Sequence, residues 1–188
     1  LETHAVPADI HIDTGPGFFK VGALTVHDVH PEGDIDLGLL LEEQGRTLAP
    51  IPLIPTLLAG WVLDAHGTVG QWAWLPRLLS GEALLSVAID EVGGVDPTAP
   101  GVTATADGNG WRLDGVKVAI PYGEQAQALL VTARTDSGPA LFLVERNAKG
   151  LKIEGQRSTN GEPQAMVSFA GTPLSGNAVV GTVEQQLS

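Results

Sequence analysis

Apolar residues change their spacing along the chain, from a helical period in the first half to short runs in the second. Between residues 34 and 48, the apolar positions that fall on one helical stripe are Ile35, Leu39, Leu40 and Leu48. With Asp34 before them as an N-cap, they predict an amphipathic helix. Beyond residue 83 the apolar runs are short and are separated by turn residues, which is typical of strands. The pattern predicts helices first and a β unit second.

The proline-rich stretch at residues 50–55 predicts an extended linker. Each proline fixes its own φ angle and biases the preceding residue away from helix. Pro55 also suits the first turn of a second helix, which Gly67 is expected to end as a C-terminal cap.

Thr68 and Gln71 have the spacing of a capping box and predict a third helix, which stops near Gly81. A proline inside this helix, Pro76, is expected to kink it. The chain before residue 34 shows no clean period. A short helix at residues 17–24 is the best prediction there.

Seven short apolar runs follow the helices, at residues 83–90, 101–107, 110–120, 127–134, 139–146, 151–155 and 164–170. Runs of this length, joined by Asp-Gly and Asn-Gly turns, favour an antiparallel sandwich or barrel. No helical pattern alternates with them, which disfavours a doubly wound nucleotide-binding fold. The predicted fold class is α+β, with N-terminal helices followed by an antiparallel β-barrel or sandwich.

Composition narrows the classes of function. The formal net charge of the 188 residues is -12, so the chain lacks the basic surface that nucleic acid requires. The apolar run at 49–63 is interrupted by prolines and is too short for a membrane span, and no secretory signal opens the chain. The chain has no cysteine, which excludes disulfides and a thiol nucleophile and favours a reducing compartment, the cytoplasm.

The residues alone supply no self-sufficient catalytic cluster. No G-x-S-x-G serine motif and no glycine-rich phosphate loop occurs. His27 and His30 have a spacing that could hold a metal on a helix, but the adjacent Pro31 and the lack of further ligands favour a surface pair. Three tryptophans in predicted helices are expected to be core or interface residues rather than ligand platforms: Trp61, Trp72 and Trp74.

From about residue 36 to residue 181 the chain resembles the acyl-CoA dehydrogenase family of flavoenzymes. Five segments carry the resemblance, in the order found in the family: LLLEEQGRTLAPIPL, WLPRLLSGEALLSVAIDE, DGNGWRLDGVKVAIPYGEQAQALLVTART, ALFLVERNAKGLKIE and MVSFAGTPLSGNAVVG. The resemblance implies a helical domain at 1–82 and a middle β-domain at 83–181. It also implies that residues 182–188 begin a further helical segment.

The resemblance also implies where ligands bind. By position, the residues matched to the flavin contacts are Ala88, Ile89, Asp90, Glu91, Ala119, Ile120 and Pro121. The residues matched to substrate contacts are Val95 and Asp96. In the family, a tryptophan, an isoleucine and a threonine stand at the positions matched by Ala119, Ile120 and Pro121. They pack on the isoalloxazine ring and hydrogen-bond its N5 edge.

This chain departs from the family at those contact positions. Ala119 provides no aromatic platform, and Pro121 has neither the hydroxyl nor the N–H of a threonine. Asp90 replaces the usual threonine or serine, so a carboxylate faces an edge that becomes negative in reduced flavin. Val95 stands where the family tends to have a serine.

The implied function is that of a subunit or fragment of an FAD-dependent acyl-CoA dehydrogenase acting on a fatty or sterol-derived acyl-CoA. The family's catalytic glutamate lies in a C-terminal helical bundle, so no catalytic residue is assigned in this chain, and no metal ligand. Family members are oligomers, which implies a homo- or hetero-oligomer with another dehydrogenase chain. Three alternatives for FAD stay open: binding here, binding mainly by a partner, or loss in a non-catalytic scaffold subunit.

Overall fold

The computed structural model describes residues 12–13, 20–21, 33–94, 96 and 98–181. Two short strands near the start, β1 (Ile12–Asp13) and β2 (Lys20–Val21), pair antiparallel. The helix predicted at residues 17–24 is therefore wrong at the two residues described there. The pair His27 and His30 lies outside the described residues, as does the segment 182–188 that was expected to begin another helix.

The first predicted helix is confirmed as α1 (Gly33–Thr47). Leu40, on its stripe, is 3% exposed and packs with Ile51 and Leu53. Leu48 does not complete the stripe, because it lies beyond the helix with a φ of 51° and is 85% exposed. The stripe ends where the chain turns into the proline-rich linker.

The second helix, α2 (Leu53–His66), begins inside that linker, and Pro55 lies in its first turn. A proline is tolerated there because first-turn N–H groups have no partner within the helix. Gly67 follows the helix as expected, and its N–H donates to the carbonyl of Leu63 at 2.8 Å. Its φ of -67° shows that the cap is extended rather than left-handed.

The third helical region is divided into a 3₁₀ turn at Gln71–Ala73 and a short helix, α3 (Trp74–Leu79). Half of the predicted capping box is present, since the N–H of Thr68 donates to Oε1 of Gln71 at 2.9 Å. Pro76 lies in the first turn of α3, where it removes no helical hydrogen bond. The expected kinked helix is instead two short elements.

All seven predicted strands are confirmed: β3 (Leu85–Ala88), β4 (Thr103–Asp107), β5 (Gly110–Pro121), β6 (Ala128–Thr135), β7 (Gly138–Glu145), β8 (Leu151–Arg157) and β9 (Pro163–Ser175). They form one sheet in the order β3-β6-β4-β5-β9-β8, with β7 paired to β6. The sheet curls into a half-barrel, which confirms the predicted class. The pairing is mixed rather than wholly antiparallel, because β3 and the start of β4 run parallel to β6.

The central strand β6 joins two cores. Leu129 and Val131 point into the core enclosed by the sheet, where Phe142 and Val167 also lie. The alternate residues of β6, including Leu130, pack against α2 on the opposite face. The core against α2 therefore contains residues from both sides of the predicted domain boundary at residue 83.

Candidate functional site

The end of β3 and the bulged part of β5 lie side by side, which brings the two predicted cofactor segments together. We call these segments, residues 88–91 and 119–121, together with the adjoining Val118, the corner. The N–H of Val118 donates to the carbonyl of Asp90 at 2.9 Å. The hydroxyl of Ser86, a residue that is buried in β3, donates to the carbonyl of Pro121 at 2.5 Å. The first contact joins the two segments, and the second ties Pro121 to the strand that leads into residues 88–91.

A β-bulge shapes the second segment. The pairing of β5 with β9 shifts register between Lys117 and Ile120, and Ala119 within this shift has a φ of 52°. A left-handed alanine costs about 1–2 kcal/mol because its Cβ crowds the following carbonyl. The N–H of Ala119 donates to Oε1 of Gln156 at 3.0 Å.

The seven predicted cofactor residues present different groups. Ala88 and Ile120 are 0% and 1% exposed, with side chains in the sheet core, so they can offer a ligand only backbone atoms. Ile89 and Asp90 are exposed, and Ala119 and Pro121 are half-buried.

The seventh residue, Glu91, is committed to the protein itself. Its Oε1 accepts from Nζ of Lys117 at 2.5 Å and from the N–H of Val102 at 3.0 Å. Its Oε2 accepts from the N–H of Gly101 at 2.6 Å. Sequence analysis missed Lys117, although it stands between two valines in β5, where the alternation of a half-buried strand makes an inward-facing lysine unusual.

The ion pair shifts both ionisable groups. Burial raises the pKa of Glu91, but hydrogen bonds from Lys117, Val102 and Gly101 outweigh burial and hold that pKa below its usual value. Burial lowers the pKa of Lys117, and the neighbouring Glu91 opposes the shift. A carboxylate with three donors remains ionised at neutral pH.

Of the two predicted substrate contacts, the structure describes only Asp96. Its Oδ1 accepts from the N–H and the hydroxyl of Thr98 at 2.9 and 2.6 Å. The side-chain hydrogen bond from Thr98 lowers the pKa of Asp96 most, followed by the backbone bond. Asp96 is exposed, so its carboxylate is free to meet solvent or a ligand on its outer side.

The second segment of the corner with the adjoining Val118, residues 118–121, does not fit the isoalloxazine ring of FAD by itself. The N–H of Val118 bonds Asp90, that of Ala119 bonds Gln156, and Pro121 has none. The N–H of Tyr122, just beyond, bonds the carbonyl of Pro163 at 2.8 Å. No aromatic side chain stands at position 119 to stack on the ring.

Elsewhere, a cavity of about 690 Å³ lies between the segment 68–74 and the barrel end at 173–178. Across the described ranges, no three potential ligands gather as a metal site. None of the helices in those ranges has the length and apolar character needed to span a membrane.

Comparison with known families agrees with this geometry. Residues 88–171 match the model of the acyl-CoA dehydrogenase middle domain. Acyl-CoA dehydrogenase FadE27 of Mycobacterium tuberculosis (strain ATCC 25618 / H37Rv) is 34% identical over 129 residues, covering 68% of this chain and 34% of that protein.

Two solved structures share the fold. One, described as the Tcur3481-Tcur3483 steroid ACAD G363A variant, has 40% identity and a TM-score of 0.73, covering 85% of this chain and 45% of that one. The ChsE4-ChsE5 complex from Mycobacterium tuberculosis has 30% identity and a TM-score of 0.69, covering 77% of this chain and 39% of that one.

These matches define a dehydrogenase middle domain preceded by helices. The chain belongs to the acyl-CoA dehydrogenase family, whose members depend on FAD. It spans between about a third and a half of the length of the relatives it matches.

Proposed function

We propose that this chain is a subunit or portion of an FAD-dependent acyl-CoA dehydrogenase that desaturates an acyl-CoA thioester at its α,β bond. In this proposal a partner chain, or further helices of the same protein, supplies the catalytic base and most contacts to flavin. A relative described as a steroid dehydrogenase supports a steroid-derived acyl group, and one described as a two-chain complex supports a hetero-oligomer. The absence of cysteine supports a cytoplasmic location.

One observation carries the proposal. The two segments of the corner lie side by side, yet the N–H groups of Val118 and Ala119 are used within the chain and Pro121 has none. A domain that holds a cofactor with its own residues would present uncommitted donors at the cofactor's edge. These observations support a dehydrogenase scaffold in which most contacts to flavin come from outside residues 118–121.

A second candidate is a non-catalytic scaffold subunit whose assembly binds no flavin at this corner. The exposed carboxylate of Asp90 favours it, because a fixed negative charge at short range repels an anionic reduced flavin. Under this alternative, Val95 and Asp96 would have no role in binding acyl-CoA.

Flavin absorption separates the candidates. Three samples would be purified: this chain alone, a candidate partner dehydrogenase chain alone, and the two chains co-expressed. The dehydrogenase proposal predicts a colourless chain and a yellow assembly that bleaches anaerobically with acyl-CoA, with steroid and fatty thioesters compared side by side. An assembly that stays colourless in every combination would overturn the dehydrogenase proposal. A yellow chain without partner would overturn the proposal that flavin is held from elsewhere.

A further inference from the structure

Beneath the corner, one buried ammonium group joins three parts of the chain. Nζ of Lys117 donates to the carbonyl of Ile89 at 3.0 Å, to Oε1 of Glu91 at 2.5 Å and to Oγ1 of Thr132 at 2.9 Å. An ammonium group has three N–H donors, so all of them are used. The Lys117 side chain is 1% exposed, which leaves it no access to solvent or to a ligand.

The carboxylate of Glu91 extends the same network to the start of β4. It accepts from the N–H groups of Gly101 and Val102. The approach is so close that a β-carbon added to Gly101 would lie 2.5 Å from Oε2 of Glu91. The ion pair thus ties together the segment after β3, the start of β4, and strands β5 and β6.

We propose that Glu91 and Lys117 are positioning residues that hold the two corner segments in place before any ligand binds, and that Glu91 contacts neither cofactor nor substrate. Burial of an ion pair is weak support for stability as such, because well-packed apolar residues are often at least as stable. The directions of the hydrogen bonds in the network support a role in positioning the corner. It fixes the carbonyl of Ile89 and the ends of the segment between β3 and β4, neither of which an apolar pair would orient.

The network is also asymmetric, which distinguishes it from an ordinary surface ion pair. Glu91 accepts from two backbone N–H groups, while Lys117 donates to a backbone carbonyl and a hydroxyl. Exchanging the two residues would place an ammonium group against the N–H donors of Gly101 and Val102, and a carboxylate against the carbonyl of Ile89. The paired variant Glu91→Lys with Lys117→Glu is therefore expected not to restore the corner.

The test uses the absence of cysteine from the chain. Lys117→Cys can be alkylated with 2-bromoethylamine while unfolded and then refolded, which restores an ammonium group on a side chain of nearly the same length. Amide hydrogen exchange then reports on the corner, with helix α2, which contributes no residue to the network, as the internal reference. Lys152→Met, which removes the exposed partner of Glu154, is the matched control.

We expect Lys117→Cys to raise exchange at the corner by roughly 10-fold or more beyond any rise in α2, because local opening is separable from global unfolding, and a loss of overall stability raises exchange in both regions. Alkylation should restore protection, and Lys152→Met should leave it unchanged. Equal acceleration at the corner and in α2, unchanged exchange at the corner, or failure of the alkylated protein to recover would overturn the proposal.

If the Lys117 variants do not fold, Thr132→Val decides the question, since it removes one acceptor and keeps the side-chain volume. The same local pattern at smaller size is expected, and unchanged exchange at the corner contradicts the proposal. None of these measurements requires flavin or a partner chain, so the inference and the proposed dehydrogenase function fail separately.

Discussion

The side-chain amide of Gln71 donates to the carbonyl of Val179 at 3.1 Å, across 108 residues of chain. The same nitrogen donates to the carbonyl of Asn177 at 3.0 Å, and Oε1 accepts from the N–H of Thr68. Gln71 is only 4% exposed. One glutamine therefore joins the turn before α3 to the segment that follows β9.

Replacing this glutamine by an apolar residue should be costly. Gln71→Leu leaves an N–H and two carbonyls without partners, and we expect a loss of about 2–3 kcal/mol in the free energy of unfolding. Urea denaturation followed by circular dichroism measures the loss. Gln125→Leu, at an exposed position, is the matched control and should change stability by less than about 0.5 kcal/mol. Equal effects of the two substitutions would contradict the bridging role.

Removal of the buried cation should destabilise the protein. Lys117→Met leaves the Glu91 carboxylate without its cation while two backbone N–H groups remain, so we expect a loss of about 2–4 kcal/mol. The control Lys152→Met breaks an exposed ion pair and should cost less than about 1 kcal/mol. Thermal and urea unfolding of both variants provide the comparison. A Lys117→Met protein as stable as the control would show that the pair is dispensable.

The free energy of unfolding should fall as the pH is lowered through a window set by the pKa of Glu91. Its folded pKa is lower than its ordinary value of 4.5, so the unfolded chain binds a proton first as pH falls. The stabilisation is therefore fully present above pH 4.5 and is lost as pH falls through the folded pKa. In Glu91→Gln this contribution is absent, so the stability difference from the unmodified protein should shrink in that window. Urea midpoints across the acid range measure it, and a constant difference would contradict the assignment.

The backbone conformation of Ala119 in the bulge predicts that replacing it by glycine stabilises the protein. Ala119 has a φ of 52°, a region where glycine has no Cβ penalty. After the entropy of the unfolded chain is counted, we expect Ala119→Gly to gain about 0.5–1 kcal/mol. The control Ala106→Gly, at an exposed position in β4, should lose about 0.5–1 kcal/mol. Thermal unfolding shows whether each substitution raises or lowers stability. A loss of stability at both positions would show that Ala119 is not strained.

Part of the candidate site was accessible from the sequence. The resemblance matched residues 88–91 and 119–121 to two separate flavin-contact segments, and the structure brings them side by side, with Asp90 hydrogen-bonded to Val118 just before the second segment. Their ligand-binding roles remain predictions. Lys117 was not anticipated, because its burial depends on Glu91, which lies 26 residues away, and on Thr132, which lies 15 residues away.

After residue 33, local sequence patterns predicted the order of helices and strands and the turns between them. Those features depend on spacing within a few residues and on backbone chemistry, so they can be predicted from the sequence. The tertiary structure decided that β3 runs parallel to β6, that Leu48 faces solvent, and that Glu91 faces an internal lysine. Each of these three features depends on which distant segments pack together. The residues next to a given position in the sequence do not specify that packing.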